Sequence, residues 1–120
     1  MEFAIRIGSP EKQRVGCLIV AVHERGELSA AAQLLDDASK GALRTVLERS
    51  DIEGKVGQTL LLHSLPGVLA ARVLLVGAGP NNGELNDKQF IKVAEKAVAA
   101  LKTTKTETAA SYLTDLVVKN

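Results

Sequence analysis

A chain of 120 residues is the size of a single domain, long enough to bury roughly two-thirds of the surface its unfolded form exposes. Aromatic residues are 2% of the total, namely Phe3, Phe90 and Tyr112, so the core is aliphatic and binding modes that need stacking platforms are disfavoured. Fifteen basic and fourteen acidic residues leave a formal charge of +1, and no overall field steers the chain toward nucleic acid or anionic lipid.

Residues 2–7 alternate Phe3, Ile5 and Ile7 with Glu2, Ala4 and Arg6, which predicts a strand with one buried face, ended by Gly8-Ser9-Pro10. Residues 17–22, Cys-Leu-Ile-Val-Ala-Val, are apolar without interruption, as in a strand covered by helices on both faces. Ser29 caps a helix opening at Ala30, and residues 41–49 continue helically with Leu43, Val46 and Leu47 on one stripe. A glycine-marked loop over residues 51–57 follows. Strands are then predicted over residues 59–63 and 72–77, with Leu65-Pro66-Gly67 turning between them.

Asn86 caps the clearest helix, and Asp87 sits in its first turn, where the helix dipole favours an anion. Phe90, Ala94, Ala97 and Leu101, flanked by Ile91 and Val98, make its buried stripe over about four turns. Residues 106–113 read as a last strand, and residues 114–120 carry no stop signal. Alternating strands and helices, with no repeat or linker, predict one α/β domain whose mixed or largely parallel sheet lies between helical layers. The final Leu116-Val117-Val118-Lys119-Asn120 has no closing helix, which predicts a fold truncated at its carboxy-terminal end.

Cys17 is the lone cysteine, so no intrachain disulfide forms and a reducing compartment is expected. The opening Met1-Glu2-Phe3-Ala4 lacks the pattern of a signal peptide, and the apolar runs are too short to span a bilayer. A soluble cytoplasmic protein with no membrane partner is expected.

Two features look like binding motifs. Gly77-Ala78-Gly79-Pro80-Asn81-Asn82-Gly83 lies between a strand and a helix, where dinucleotide loops occur. The third glycine of that fingerprint would fall at Asn82, and the helix starts too late to abut the loop, so a tight turn is the better reading. Lys88, Lys92 and Lys96 fall one turn apart on the last helix and are the candidate DNA contacts, since a row of cations along one face neutralises phosphates. A solvated helix face shows the same stripe, and Glu95 interrupts it.

Met1-Glu2-Phe3 and the run Gly8-Ser9-Pro10-Glu11-Lys12-Gln13-Arg14 resemble the start of bacterial leucyl aminopeptidases, the PepA-type cytosol aminopeptidase family. Leu47-Glu48-Arg49, Glu53-Gly54-Lys55 and Gly57-Gln58-Thr59-Leu60-Leu61-Leu62-His63 are similar to the family's middle portion. Arg72-Val73-Leu74-Leu75-Val76-Gly77 and Leu113-Thr114-Asp115-Leu116-Val117-Val118-Lys119 follow in the same order and spacing. The resemblance implies an amino-terminal, non-catalytic domain over residues 1–120, with a three-layer fold like that of macro domains.

It further implies a parent that is a homo-hexamer. A carboxy-terminal catalytic domain, absent from this chain, would hold two divalent cations (manganese or zinc) and cleave amino-terminal residues, leucine by preference, from peptide substrates. The domain in hand would support hexamer assembly and active-site access. Two alternatives come with the resemblance: a macro-like nucleotide or ADP-ribose module using residues 77–83, and the DNA-binding part of a bifunctional aminopeptidase-regulator.

The chemistry-bearing residues fit this division. The family's Asn-Thr-Asp-Ala-Glu-Gly-Arg metal motif has no counterpart here; Leu113-Thr114-Asp115-Leu116 shares only Thr-Asp. Asp36-Asp37, Glu24 and Glu27 read as solvated helix-end and turn residues. His23 and His63 stand singly at strand ends, short of the roughly four converging ligands of a zinc site. Cys17 heads an apolar strand, where a buried inert thiol is the default. No catalytic, metal-binding or cofactor-binding residue, and no cofactor, is therefore assigned to this chain.

Overall fold

The structure, a computed structural model, describes residues 2–5 (backbone only), 9–49, 52–80, 85–104, 106 and 108–113. Five strands, β1 (Glu2–Ile5), β2 (Cys17–Val22), β3 (Thr59–Leu62), β4 (Arg72–Gly77) and β5 (Thr108–Ser111), form one sheet in the order β1-β5-β2-β4-β3. All neighbours are parallel except β3, which runs antiparallel to β4. Three helices, α1 (Ala30–Ala38), α2 (Ala42–Arg49) and α3 (Asp87–Lys102), cover the two faces.

The apolar run of β2 shows how the layers divide. Leu18, Val20 and Val22 pack with Ala32 and Leu35 of α1 and Leu43 of α2. Cys17, Ile19 and Ala21 pack with Val93, Ala97 and Leu101 of α3. Successive side chains of a strand point to opposite faces, so a strand buried on both sides must be apolar at every position. This is the three-layer mixed sheet expected from the sequence, with β2 at its centre.

The caps fall where the sequence puts them. Ser29 Oγ accepts the Ala32 amide at 3.2 Å to open α1. Asn86 Oδ1 accepts the Gln89 amide at 2.8 Å, while Gln89 Oε1 accepts that of Asn86 at 2.9 Å, a reciprocal box closing the start of α3.

Several expectations are corrected. The buried side of α3 carries Val93, which the predicted stripe omits, whereas Ile91 is 53% and Val98 42% exposed. The core-facing row runs through positions 90, 93, 97 and 101, and Ile91 and Val98 lie off its flank. The last strand is Thr108–Ser111, shorter than predicted because Thr104 and Thr106 are engaged in the turn after α3. Residues 6–8, Asn81, Asn82, Gly83 and 114–120, with the predicted carboxy-terminal truncation, lie outside the described residues.

Candidate functional site

The chain leaves β2 toward α1 and α2 on one face of the sheet, and leaves β4 toward α3 on the other. The carboxyl ends of these neighbouring strands are thus a topological switch point, the place where open α/β sheets form a ligand crevice. Here that crevice is partly filled by the chain itself. The amides of Gly77, Ala78 and Gly79 donate to the carbonyls of Gln58 (2.7 Å), Val22 (2.8 Å) and Gly54 (2.7 Å). Gly79 O in turn accepts the amide of Glu24 at 3.1 Å.

Glycine is required at two points of this lock. Gly54 has φ +86 and abuts the backbone of His23 and Glu24, and Gly77 abuts the backbone of Gly54 and Lys55. A phosphate-cradling loop works through unengaged backbone N–H groups. The three at residues 77–79 are already donated, so the described part of the dinucleotide-like loop is a tertiary clasp.

His23 Nδ1 lies 3.1 Å from Gly79 O. The carbonyl can only accept, so the imidazole donates from Nδ1 in this contact. The half-buried imidazole therefore serves the same clasp. His63 lies just past β3 and is exposed.

Beside the clasp, on the α2 side, opens a cleft of about 550 Å³. One wall is the short 3-10 turn Glu24–Gly26, where Arg25 (φ 63) and Gly26 (φ 73) both take left-handed backbone. The opposite wall is α2, through Arg44, Leu47 and Glu48, and the loop at Ile52, Glu53 and Gly54 closes the third side. Arg44 spans the cleft: its Nη1 donates to Gly26 O at 3.2 Å and its Nε lies 3.7 Å from Asp36 Oδ2. Asp36 Oδ1 also accepts the Arg44 backbone amide at 2.9 Å, which anchors the first turn of α2. Asp36, read from sequence as a solvated helix-end carboxylate, is instead buried (7% exposed).

Lys88, Lys92 and Lys96 are all exposed on α3. The aliphatic stems of Lys92 and Lys96 lie over Gly57, an arrangement that leaves the ammonium groups in water. Cys17 is fully buried, and burial pushes its thiol up to about 11, against smaller lowering effects of the Leu74 backbone and Arg72. Among the described residues, no three His, Cys, Asp or Glu side chains gather where they could hold a metal ion. No helix among the described residues is long and apolar enough to cross a membrane.

Comparison with known proteins places this geometry. Residues 19–120 match the family described as "Cytosol aminopeptidase family, N-terminal domain". The chain is 50% identical over 119 residues to a probable cytosol aminopeptidase of Tolumonas auensis, covering 99% of this chain and 24% of that protein. It is 47% identical over the same length to one of Vibrio campbellii, again covering 24% of the relative. Among solved structures, a mutant of tomato leucine aminopeptidase superposes with a TM-score of 0.68 at 21% identity, over 92% of this chain and 22% of that one. The macrodomain of Mycobacterium tuberculosis DarG superposes with a TM-score of 0.65 at 10% identity, over 91% and 74% respectively. These two likenesses show a shared fold.

Proposed function

The chain belongs to the cytosol aminopeptidase family as its amino-terminal domain, and on that premise we propose that it is the accessory, non-catalytic part of a metal-dependent leucyl aminopeptidase. The observation that carries the reading is one of proportion. The chain aligns over 99% of its own length with aminopeptidases of which it spans 24%. In this reading the remaining three-quarters hold the two divalent cations and remove amino-terminal residues, leucine by preference, from peptides in the cytoplasm. The domain assists hexamer assembly and shapes access to the active site.

Replacement of the matching quarter tests this role. Grafted into the Tolumonas auensis relative in place of its own segment, the chain should yield a hexamer by light scattering that cleaves a leucine anilide. Deleting the segment should lower both assembly and turnover. A deletion variant that assembles and turns over like the intact relative would overturn the accessory role.

A second reading, DNA contact, is favoured by the exposed row Lys88, Lys92 and Lys96. It predicts a salt-sensitive mobility shift that disappears when all three become Glu; a shift that survives the change sinks it.

The ADP-ribose alternative is not favoured, because the amides of residues 77–79 are held within the clasp.

A further inference from the structure

The cleft beside His23 is a feature that the accessory role leaves unused. Arg44 is its fixed element, tied to Gly26 O at 3.2 Å and placed 3.7 Å from Asp36 Oδ2. A guanidinium has five N–H groups. These contacts engage at most two of them, and no other acceptor meets the group among the described residues. The arginine is thus ordered before any ligand arrives, and what remains is a fork shaped for a carboxylate.

Glu24 and Glu48 stand on the two walls, and among the described residues neither is in an ion pair; the pairs recorded there are Arg44–Asp36 and Lys55–Glu53. Between them lie the apolar groups of Val22, Leu47 and Ile52. A phosphate dianion would meet the repulsion of the glutamates, and a simple amine that of Arg25 and Arg44. A small molecule carrying carboxylate, ammonium and an aliphatic group on one carbon suits all three parts of the lining.

We propose that this cleft binds a free α-amino acid with an aliphatic side chain. Its carboxylate sits on Arg44, its ammonium faces Glu48, and its side chain lies against Leu47 and Ile52. The ligand class comes from the lining alone; that such a molecule is a product of the parent's own reaction rests on the aminopeptidase reading.

An amide NMR titration of the purified chain with L-leucine tests the site. Two analogues lack one charge each: 4-methylpentanoate has no ammonium and isoamylamine no carboxylate. Leucine should give saturable shifts at residues 23–26, 44–48 and 52–54. Either analogue should bind at least about tenfold more weakly, as should leucine to Arg44→Gln or to Glu48→Gln, the latter an exposed position where the fold is not at risk.

Absence of saturable shifts with leucine overturns the proposal, as do shifts that survive both substitutions. Equal affinity for 4-methylpentanoate would make the cleft a plain anion site. Tighter binding of leucyl-leucine, whose charges lie further apart, would overturn the assignment to a free amino acid. Turnover is not measured, so a negative result leaves the accessory reading standing, and hydrolysis by the chain alone would leave this site standing.

Discussion

Gly77 and Lys55 meet backbone to backbone, so closely that no β-carbon fits between the Gly77 Cα and the Lys55 carbonyl. The contact seats the loop before β3 in the crevice at the end of β4. It is flanked by hydrogen bonds from Gly77 N to Gln58 O and from Gly57 N to Gly77 O. Both partners are backbone, so neither can rotate away as a side chain would. Gly77→Ala should therefore lower stability by about 1–3 kcal/mol, the usual penalty for overpacking a closed contact. Urea unfolding measures it, and an unchanged midpoint would show that the loop is not locked.

The same clasp predicts a binding result. With the amides of residues 77–79 donated to Gln58, Val22 and Gly54, the described part of the loop has no N–H groups to offer a pyrophosphate, despite its likeness to a nucleotide loop. Calorimetric titration with ADP-ribose should be silent up to millimolar ligand. Saturable heat would mean that the clasp opens.

Asp36 should matter more than its place in a surface-looking Asp36-Asp37 pair suggests. Its carboxylate accepts the backbone amide that begins α2 and lies beside the Arg44 guanidinium. Asp36→Ala should cost about 1–2 kcal/mol, as the loss of a helix-capping acceptor does, while Asp37→Ala should change stability by less than about 0.5 kcal/mol. Equal effects at the two positions would remove Asp36 from this role.

The difference between the two aspartates marks what the sequence could tell. Local signals were legible: the unbroken apolar run of β2 required helices on both faces, and Ser29 and Asn86 cap the helices they were expected to cap. The row of α3 was only partly legible. Ile91 and Val98 are as apolar as Val93, and which side of the stripe widens depends on how the helix rolls against the sheet. The cleft was not legible at all. It depends on Arg44 reaching Asp36 eight residues back and Gly26 eighteen residues back, and no periodicity records such contacts. Likewise the glycine loop named a turn, while its occupant, the backbone of Gly54 and Lys55, comes from more than twenty residues away.

Cys17 gives a prediction in pH. Burial raises its thiol from 9.0 to about 11, so below about pH 9 the folded and unfolded chains both hold the proton. Between those values the unfolded chain releases it and the folded chain does not. The stability contributed by the protonated thiol is thus fully present below pH 9 and is lost as pH rises toward 11. Denaturation of the chain and of Cys17→Ala across that window should show a steeper decline for the cysteine form. Parallel curves would contradict the shift. At neutral pH the folded thiol should resist alkylating reagents that label it quickly in denaturant.

The central claim is that this chain supports an aminopeptidase without performing its chemistry, and one assay reaches it most directly. The purified 120-residue chain, given a leucine anilide with added manganese or zinc, should release no more product than the metal alone. Turnover that exceeds that background and persists through repurification would place catalysis within this chain and contradict the account.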